Sequence, residues 1–242
     1  MVDQSSVNAW LAESVGRLQE AFADRLVFVG HHGSWARGEA GDQSDIDTLV
    51  ILDRIGAEEL EAYRSVIERM PEGGQGASGL LSSVPEMQAR SRAELLQYFY
   101  GCKVLHGSLE GVVARPTAAD LIEDARRKAS NNLLVARHYL LYPHDLTQKV
   151  HVLRYPFKEC VYALQAWWLA REGKFPGRKE DLLGAVTEAD DKLVVTVVRD
   201  WGETQEDRAA RPRHYVELLE RWSRGMLLRL GRVPAPEPGD RG

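Results

Sequence analysis

Residues 33–47 read Gly33-Ser34-Trp35-Ala36-Arg37-Gly38-Glu39-Ala40-Gly41-Asp42-Gln43-Ser44-Asp45-Ile46-Asp47, and this stretch decides how the first half of the chain is read. Apolar runs flank it, Leu26-Val27-Phe28-Val29 on one side and Ile46 to Leu52 on the other. Short, nearly continuous apolar runs of this kind read as buried strands. Residues 30–44 carry four glycines and little hydrophobic periodicity, so they read as the loop between them. On a strand, residues two apart point the same way, so Asp45 and Asp47 present two carboxylates on one face. Such a pair suits Mg²⁺, which usually takes one or two carboxylates together with substrate phosphates. Gly33 removes a side chain where a phosphate would approach the backbone, and Ser34 adds a hydroxyl donor. A helix starting just after Ser34 would favour an anion further. A lone Asp-x-Asp or Gly-Ser means little. Strand, glycine loop, acidic pair and strand in this order carry the weight.

Taken together, Gly33-Ser34, Arg37, Gly38 and Ser44-Asp45-Ile46-Asp47 closely resemble the signature of the polymerase β-like nucleotidyltransferases. The branches it looks most like are the aminoglycoside and lincosamide nucleotidyltransferases and the MNT-type antitoxins. The resemblance implies Mg²⁺-dependent transfer of a nucleoside monophosphate from a nucleoside triphosphate, with ATP expected, to a hydroxyl group. A small-molecule acceptor, an antibiotic among the candidates, is the leading expectation. The alternatives are a partner protein, modified or bound as by an antitoxin-like module, and a relative that binds nucleotide without turnover. By the same resemblance Asp45 and Asp47 are the metal ligands and part of the catalytic set, and Gly33, Ser34, Arg37 and Ser44 contact the nucleotide. Lys174-Phe175-Pro176-Gly177-Arg178-Lys179 resembles the basic turn with which some members hold a triphosphate, which assigns Lys179 to nucleotide binding. A solvated basic turn would have the same sequence.

One departure stands out. The family usually places a third carboxylate on a later strand. The best strand for it, 78–84, has no acid. Glu86 follows two residues on and is the expected third catalytic residue, with Pro85 offering the bend that would return it to the sheet edge; Asp53 and Glu72 are remoter choices.

Outward from the motif, Val7, Trp10, Leu11, Val15, Leu18 and Phe22 recur at helical spacing, with Ser5 or Ser6 as cap. Residues 58–70 and 93–100 read as helices, and Lys103 to Gly107 as a short strand. From Pro116 the pattern becomes helical throughout. Leu121, Ala125, Ala129, Leu133, Ala136 and Leu140 mark one face, and Val150, Leu153, Phe157, Val161, Leu164 and Trp168 another, with Pro156 suited to a first turn. Residues 182–186 and 193–201 could add two helices, although the β-branched run Val194 to Val198 leaves a strand open. Tyr215 to Met226 reads as the last helix. The expected fold class is α+β: a small mixed-sheet domain over residues 1–112, an all-α helical bundle over 113–233, and a disordered Pro- and Gly-rich tail over 234–242.

The 242 residues are 44% hydrophobic with net charge −5, which gives no whole-chain field toward nucleic acid, and none is expected as partner. No apolar run approaches the roughly 20 residues that span a bilayer, so no membrane is expected. Cys102 and Cys160 match no zinc or redox spacing and read as thiols of a reducing cytoplasm. His31, His32, Trp167 and Trp168 could touch a ligand, but a loop-shaping or core role is as natural for each.

Overall fold

The computed structural model describes residues 3–41, 44–71, 76–144 and 150–232. The chain divides into two compact units, Met1–Arg115 and Pro116–Gly242. The Pro- and Gly-rich tail and Glu72 lie outside the described residues.

The first unit is a four-stranded sheet of order β3-β2-β1-β4, from β1 (Leu26–His32), β2 (Ile46–Leu52), β3 (Ala77–Ser83) and β4 (Lys103–Gly107). β1 runs antiparallel to both β2 and β4, whereas β2 and β3 are parallel. Alternation along the strands feeds two apolar layers. Phe28, Leu49 and Ile51 face Met87, Leu95, Leu109, Val112 and Val113, so the last two residues belong to the core of this unit. Val29, Val50 and Leu52 face Leu18, Phe22 and Val66, from α1 (Gln4–Phe22) and α3 (Ala57–Glu68). Asp3 caps α1, not Ser5 or Ser6: its Oδ1 accepts from Ser6 N at 2.8 Å, leaving both serines inside the helix.

Two short helices follow their strands with no loop residue between. β1 ends at His32 and α2 (Gly33–Arg37) begins, closed by Gly38 in the left-handed region. β3 ends at Ser83 and α4 (Val84–Ala89) begins, where the sequence pattern continues a strand to Val84. A 3₁₀ turn, Arg92–Leu95, leads into α5 (Leu96–Gly101).

The second unit is all helical among the described residues: α6 (Ala118–Leu141), α7 (Arg154–Glu172), α8 (Lys179–Ala185), α9 (Ala189–Arg199), α10 (Gln205–Ala210) and α11 (Pro212–Leu230). α6 packs against both α7 and α11. Thr117 and Asp120 form the box that starts α6. Pro156 sits in the first turn of α7, where its missing N–H costs no helix bond. The valines of 194–198 are helical: Val194 and Val195 reach the core, and burial of a helix face outweighs β propensity. Asp191, on the same helix, accepts from Trp222 Nε1 at 2.8 Å and Arg229 Nη1 at 2.7 Å, tying α9 to α11. Cys102 and Cys160 are free thiols, and no helix among the described residues is long and apolar enough to cross a membrane.

Candidate active site

The site lies where β1 ends and β2 begins. Register pairs His32 with Asp47 and Asp47 with Ser78, so a row runs Ser78, Asp47, His32 across β3, β2 and β1. Residues opposed in this way have Cβ atoms roughly 4.5–5.5 Å apart. Alternation places Asp47 on the same sheet face as Leu49 and Ile51, where α5 packs. Tyr98 of α5 stands edge-on to the His32 ring, with centroids 5.1 Å apart.

Gly33 is bound to this row by sterics. Its φ is +78°, a region that residues with a Cβ rarely adopt. A Cβ built there would lie 2.7 Å from Asp47 Cγ and closer still to Oδ2. The Asp47 carboxylate therefore occupies the space over Gly33. The role expected from sequence, room for a phosphate, is joined by another: Gly33 is the only residue that leaves Asp47 where it is.

Asp45 is exposed, one residue ahead of the strand, whose pairing opens with Ile46 N donating to Gly76 O at 2.6 Å. Trp35 Nε1 donates to Ser44 O at 3.0 Å, and the Ser44 hydroxyl accepts from Gly41 N at 3.0 Å, so Ser44 shapes the loop that delivers Asp45. Arg37 Nε donates to Glu39 at 3.0 Å, which offsets its charge locally. Ser34 is half-buried in α2, and its carbonyl accepts from Glu39 N at 2.9 Å.

Burial holds the imidazoles of His31 and His32 neutral. His31 is pushed down to about 4 by desolvation and then by Lys103; His32 is pushed down to about 4 by desolvation, against a backbone hydrogen bond at Thr48, with Arg37 and His31 lowering it further. The Nε2 atom of each is buried with no hydrogen-bond partner among the described residues. The Tyr98 hydroxyl is raised, by burial first and by the Asp47 charge among smaller causes.

The structure does not bring Glu86 to the pair. β2 and β3 stay in register from Asp47–Ser78 to Leu52–Ser83, and Glu86 lies beyond Ser83. At about 3.3 Å per residue, that end of the strand is about 16 Å from the Asp47 rung. Glu86 instead completes a capping box on α4, its Oε2 accepting from Ser83 N at 2.7 Å while Ser83 Oγ accepts from Glu86 N at 3.4 Å. Hydrogen bonds to the carboxylate, from Ser83 N first and then from the Ser83 and Ser82 side chains, hold its carboxyl below the usual range. Asp53 is also taken, accepting from Arg25 Nε at 3.0 Å. Among the described residues no group of three His, Cys, Asp or Glu side chains is placed to hold a metal. Ser78 stands where a third carboxylate would join the row.

Lys179 belongs to the second unit, as the first residue of α8, and is half-buried. The turn before it is pinned by Gln165 Nε2, donating to Pro176 O at 2.9 Å, while Lys174 and Arg178 are exposed. Trp167 is a core residue. Tyr98 escaped the sequence reading. Its helix was legible in outline, but nothing in the order of residues ties that helix to the end of β1.

A helix-flanked sheet thus carries Asp45 and Asp47 at the start of an inner strand, beside a glycine that both its positive φ and the Asp47 carboxylate require. Residues 11–72 match the family model described as "Nucleotidyltransferase domain", a segment that contains the whole motif. The chain carries a nucleotidyltransferase domain followed by a helical part, the build of a polymerase β-like nucleotidyltransferase. Among solved structures it is similar to spectinomycin adenyltransferase AAD(9) from Enterococcus faecialis, determined with ATP and spectinomycin. The TM-score is 0.54 at 10% identity, over 90% of this chain and 99% of that one, a likeness of fold. No curated protein matches the chain in sequence.

Proposed function

We propose that the protein transfers a nucleoside monophosphate from a nucleoside triphosphate, ATP first among the candidates, to a hydroxyl of a small-molecule acceptor. The observation that carries this reading is the seating of the Asp47 carboxylate over Gly33 at the mouth of β2. Asp45 and Asp47 would hold Mg²⁺. Two carboxylates fit a hard cation that fills its remaining positions with phosphate oxygens and water. When bound, the ion stabilises charge that develops on the transferring phosphoryl group. Gly33 keeps Asp47 in place, Ser34 offers its hydroxyl at the start of α2, and the Trp35–Ser44 hydrogen bond sets the approach of Asp45. The neutral His32 and the raised Tyr98 hydroxyl keep the wall beside Asp47 free of competing charge.

The fold it shares with a spectinomycin adenyltransferase makes aminocyclitols the first acceptors to try. The test is pyrophosphate release from each of the four nucleoside triphosphates with Mg²⁺, across an acceptor panel that starts from spectinomycin. Acceptor-dependent release, lost in Asp47→Asn, is expected. Nucleotide binding with no release for any acceptor would select a binding-only role, which the absence of an acid at Ser78 favours.

A further inference from the structure

A cavity of about 240 Å³ opens on the first unit, where the end of α4, the 3₁₀ turn and residues 112–114 meet. It has room for roughly eight waters at about 30 Å³ each, less than the ~300–1,000 Å³ of drug-sized pockets. Its apolar walls are core side chains, Met87, Leu95, Val112 and Val113, each under a tenth exposed. They belong to the layer that covers Phe28, Leu49 and Ile51 of the sheet, so packing fixes them in place. Gln88 Nε2 donates to Val112 O at 3.1 Å and holds that segment against α4. Two cations complete the lining: Arg90, the residue that ends α4, and Arg92, the first of the turn. Both are exposed, and neither has an ion-pair partner among the described residues. Glu86, one turn ahead of Arg90, is committed to Ser83, and Glu94 is not part of the lining.

An apolar hollow edged by unpaired guanidinium groups asks two things of one ligand. Water against four apolar side chains finds few hydrogen-bond partners, and an apolar group that displaces it gains affinity. A guanidinium offers a planar fork of donors to two oxygens of an oxyanion. The apolar walls offer nothing to the hydroxyls of a sugar, and Gln88, the remaining polar side chain of the lining, is already engaged. We propose that the cavity binds a small organic oxyanion, with an aryl or branched alkyl body against Met87, Leu95, Val112 and Val113 and the anionic head at Arg90 and Arg92. The head can be a carboxylate or a phosphate. None of the lining residues belongs to the 33–47 motif, so this is a second site beside the catalytic one.

The test is methyl-detected NMR on the full chain, titrated with phenylacetate, phenyl phosphate, phenylacetamide and acetate, in wild type, Arg90→Gln, Arg92→Gln, the double variant and Asp47→Asn. Phenylacetate or phenyl phosphate should shift the methyl signals of Met87, Leu95, Val112 and Val113 saturably, and equally in Asp47→Asn. The tighter of the two identifies the head. Uncharged phenylacetamide, and acetate with no apolar body, should each bind at least about tenfold more weakly than that ligand, since each lacks one half of the match. Both arginines are exposed, so their replacement leaves the fold intact. Each single change should weaken binding, and the double variant should lose at least about tenfold. The absence of a saturable shift at those methyls with either anion would overturn the proposal. So would equal affinities of wild type and the double variant, or phenylacetamide binding as tightly as the better anion. Loss of binding in Asp47→Asn would place the ligand at the catalytic pair and overturn it as well.

Discussion

Asp47 and Gly33 occupy one volume: the carboxylate of the first fills the place a Cβ of the second would take. The positions are thus energetically coupled, whatever ligand they serve. Gly33→Ala should lower stability by about 1–3 kcal/mol, because it combines positive φ with a direct overlap. The overlap vanishes when Asp47 is trimmed, so Gly33→Ala should cost less in an Asp47→Ala background. A double-mutant cycle by urea denaturation measures the difference, and strict additivity would refute the coupling.

Replacing Asp45 or Asp47 with Asn should abolish transfer while circular dichroism shows an unchanged fold. Loss of metal-assisted charge stabilisation removes several kcal/mol from the reaction. Wild-type turnover in Asp47→Asn would dismiss the assignment.

Glu86 offers a prediction opposite to the one its sequence position invites. A base would lose about 10²- to 10⁴-fold in turnover on Glu86→Gln. As a helix cap, Glu86→Gln should leave turnover alone, because a glutamine oxygen still accepts from Ser83 N. Ser83→Ala should lower stability by about 1 kcal/mol. Thermal melts and initial rates on the two variants separate the roles.

Ser78→Asp would add a carboxylate opposite Asp47 in the row. Like charges facing across strands destabilise, so the variant should melt lower than wild type in EDTA. Mg²⁺ should restore more of its melting temperature than it adds to wild type, since an ion bound only by the folded state stabilises it. Identical Mg²⁺ responses would show that Ser78 does not face the metal position.

Acidification gives a further check. His31 and His32 titrate near 4 in the fold, below the ordinary 6.5, so the unfolded chain binds more protons between those values. Stability contributed by the neutral imidazoles is complete above about 6.5 and is lost as pH falls toward 4. His31→Asn should flatten the decline in melting temperature over that window relative to wild type. An unchanged slope would mean that His31 is not buried neutral.

Much of this architecture is legible in the residues. β2 runs from Ile46 to Leu52 in both readings, because an apolar run bounded by an acid and a turn admits little else. The α4 segment was misread for a physical reason. Ser83-Val84-Pro85-Glu86 is a capping box with proline in the first turn, a start signal for a helix, but a run ending Leu80-Leu81-Ser82-Ser83-Val84 looks like a strand that simply stops. Reading the box would have withdrawn Glu86 from the site, since its carboxylate is committed to Ser83. α10 is too short, at six residues, to show periodicity. The Gly33–Asp47 overlap cannot be read from sequence spacing, because it depends on the register of two antiparallel strands.

The direct junctions His32–Gly33 and Ser83–Val84 bear on which changes of chain length this unit tolerates. With no slack residue at either point, an added residue must be absorbed by the strand or the helix. One residue inserted within β1 would shift its pairing with β2 and turn every following side chain to the opposite face. Gly33 would then move off Asp47. The stretch from Gly38 to Gly41 lies outside both strands and ahead of the Gly41–Ser44 contact that shapes the approach of Asp45, so residues added there need not disturb the pairing. Natural length variation and engineered tags should therefore concentrate between Gly38 and Gly41 and avoid the two junctions.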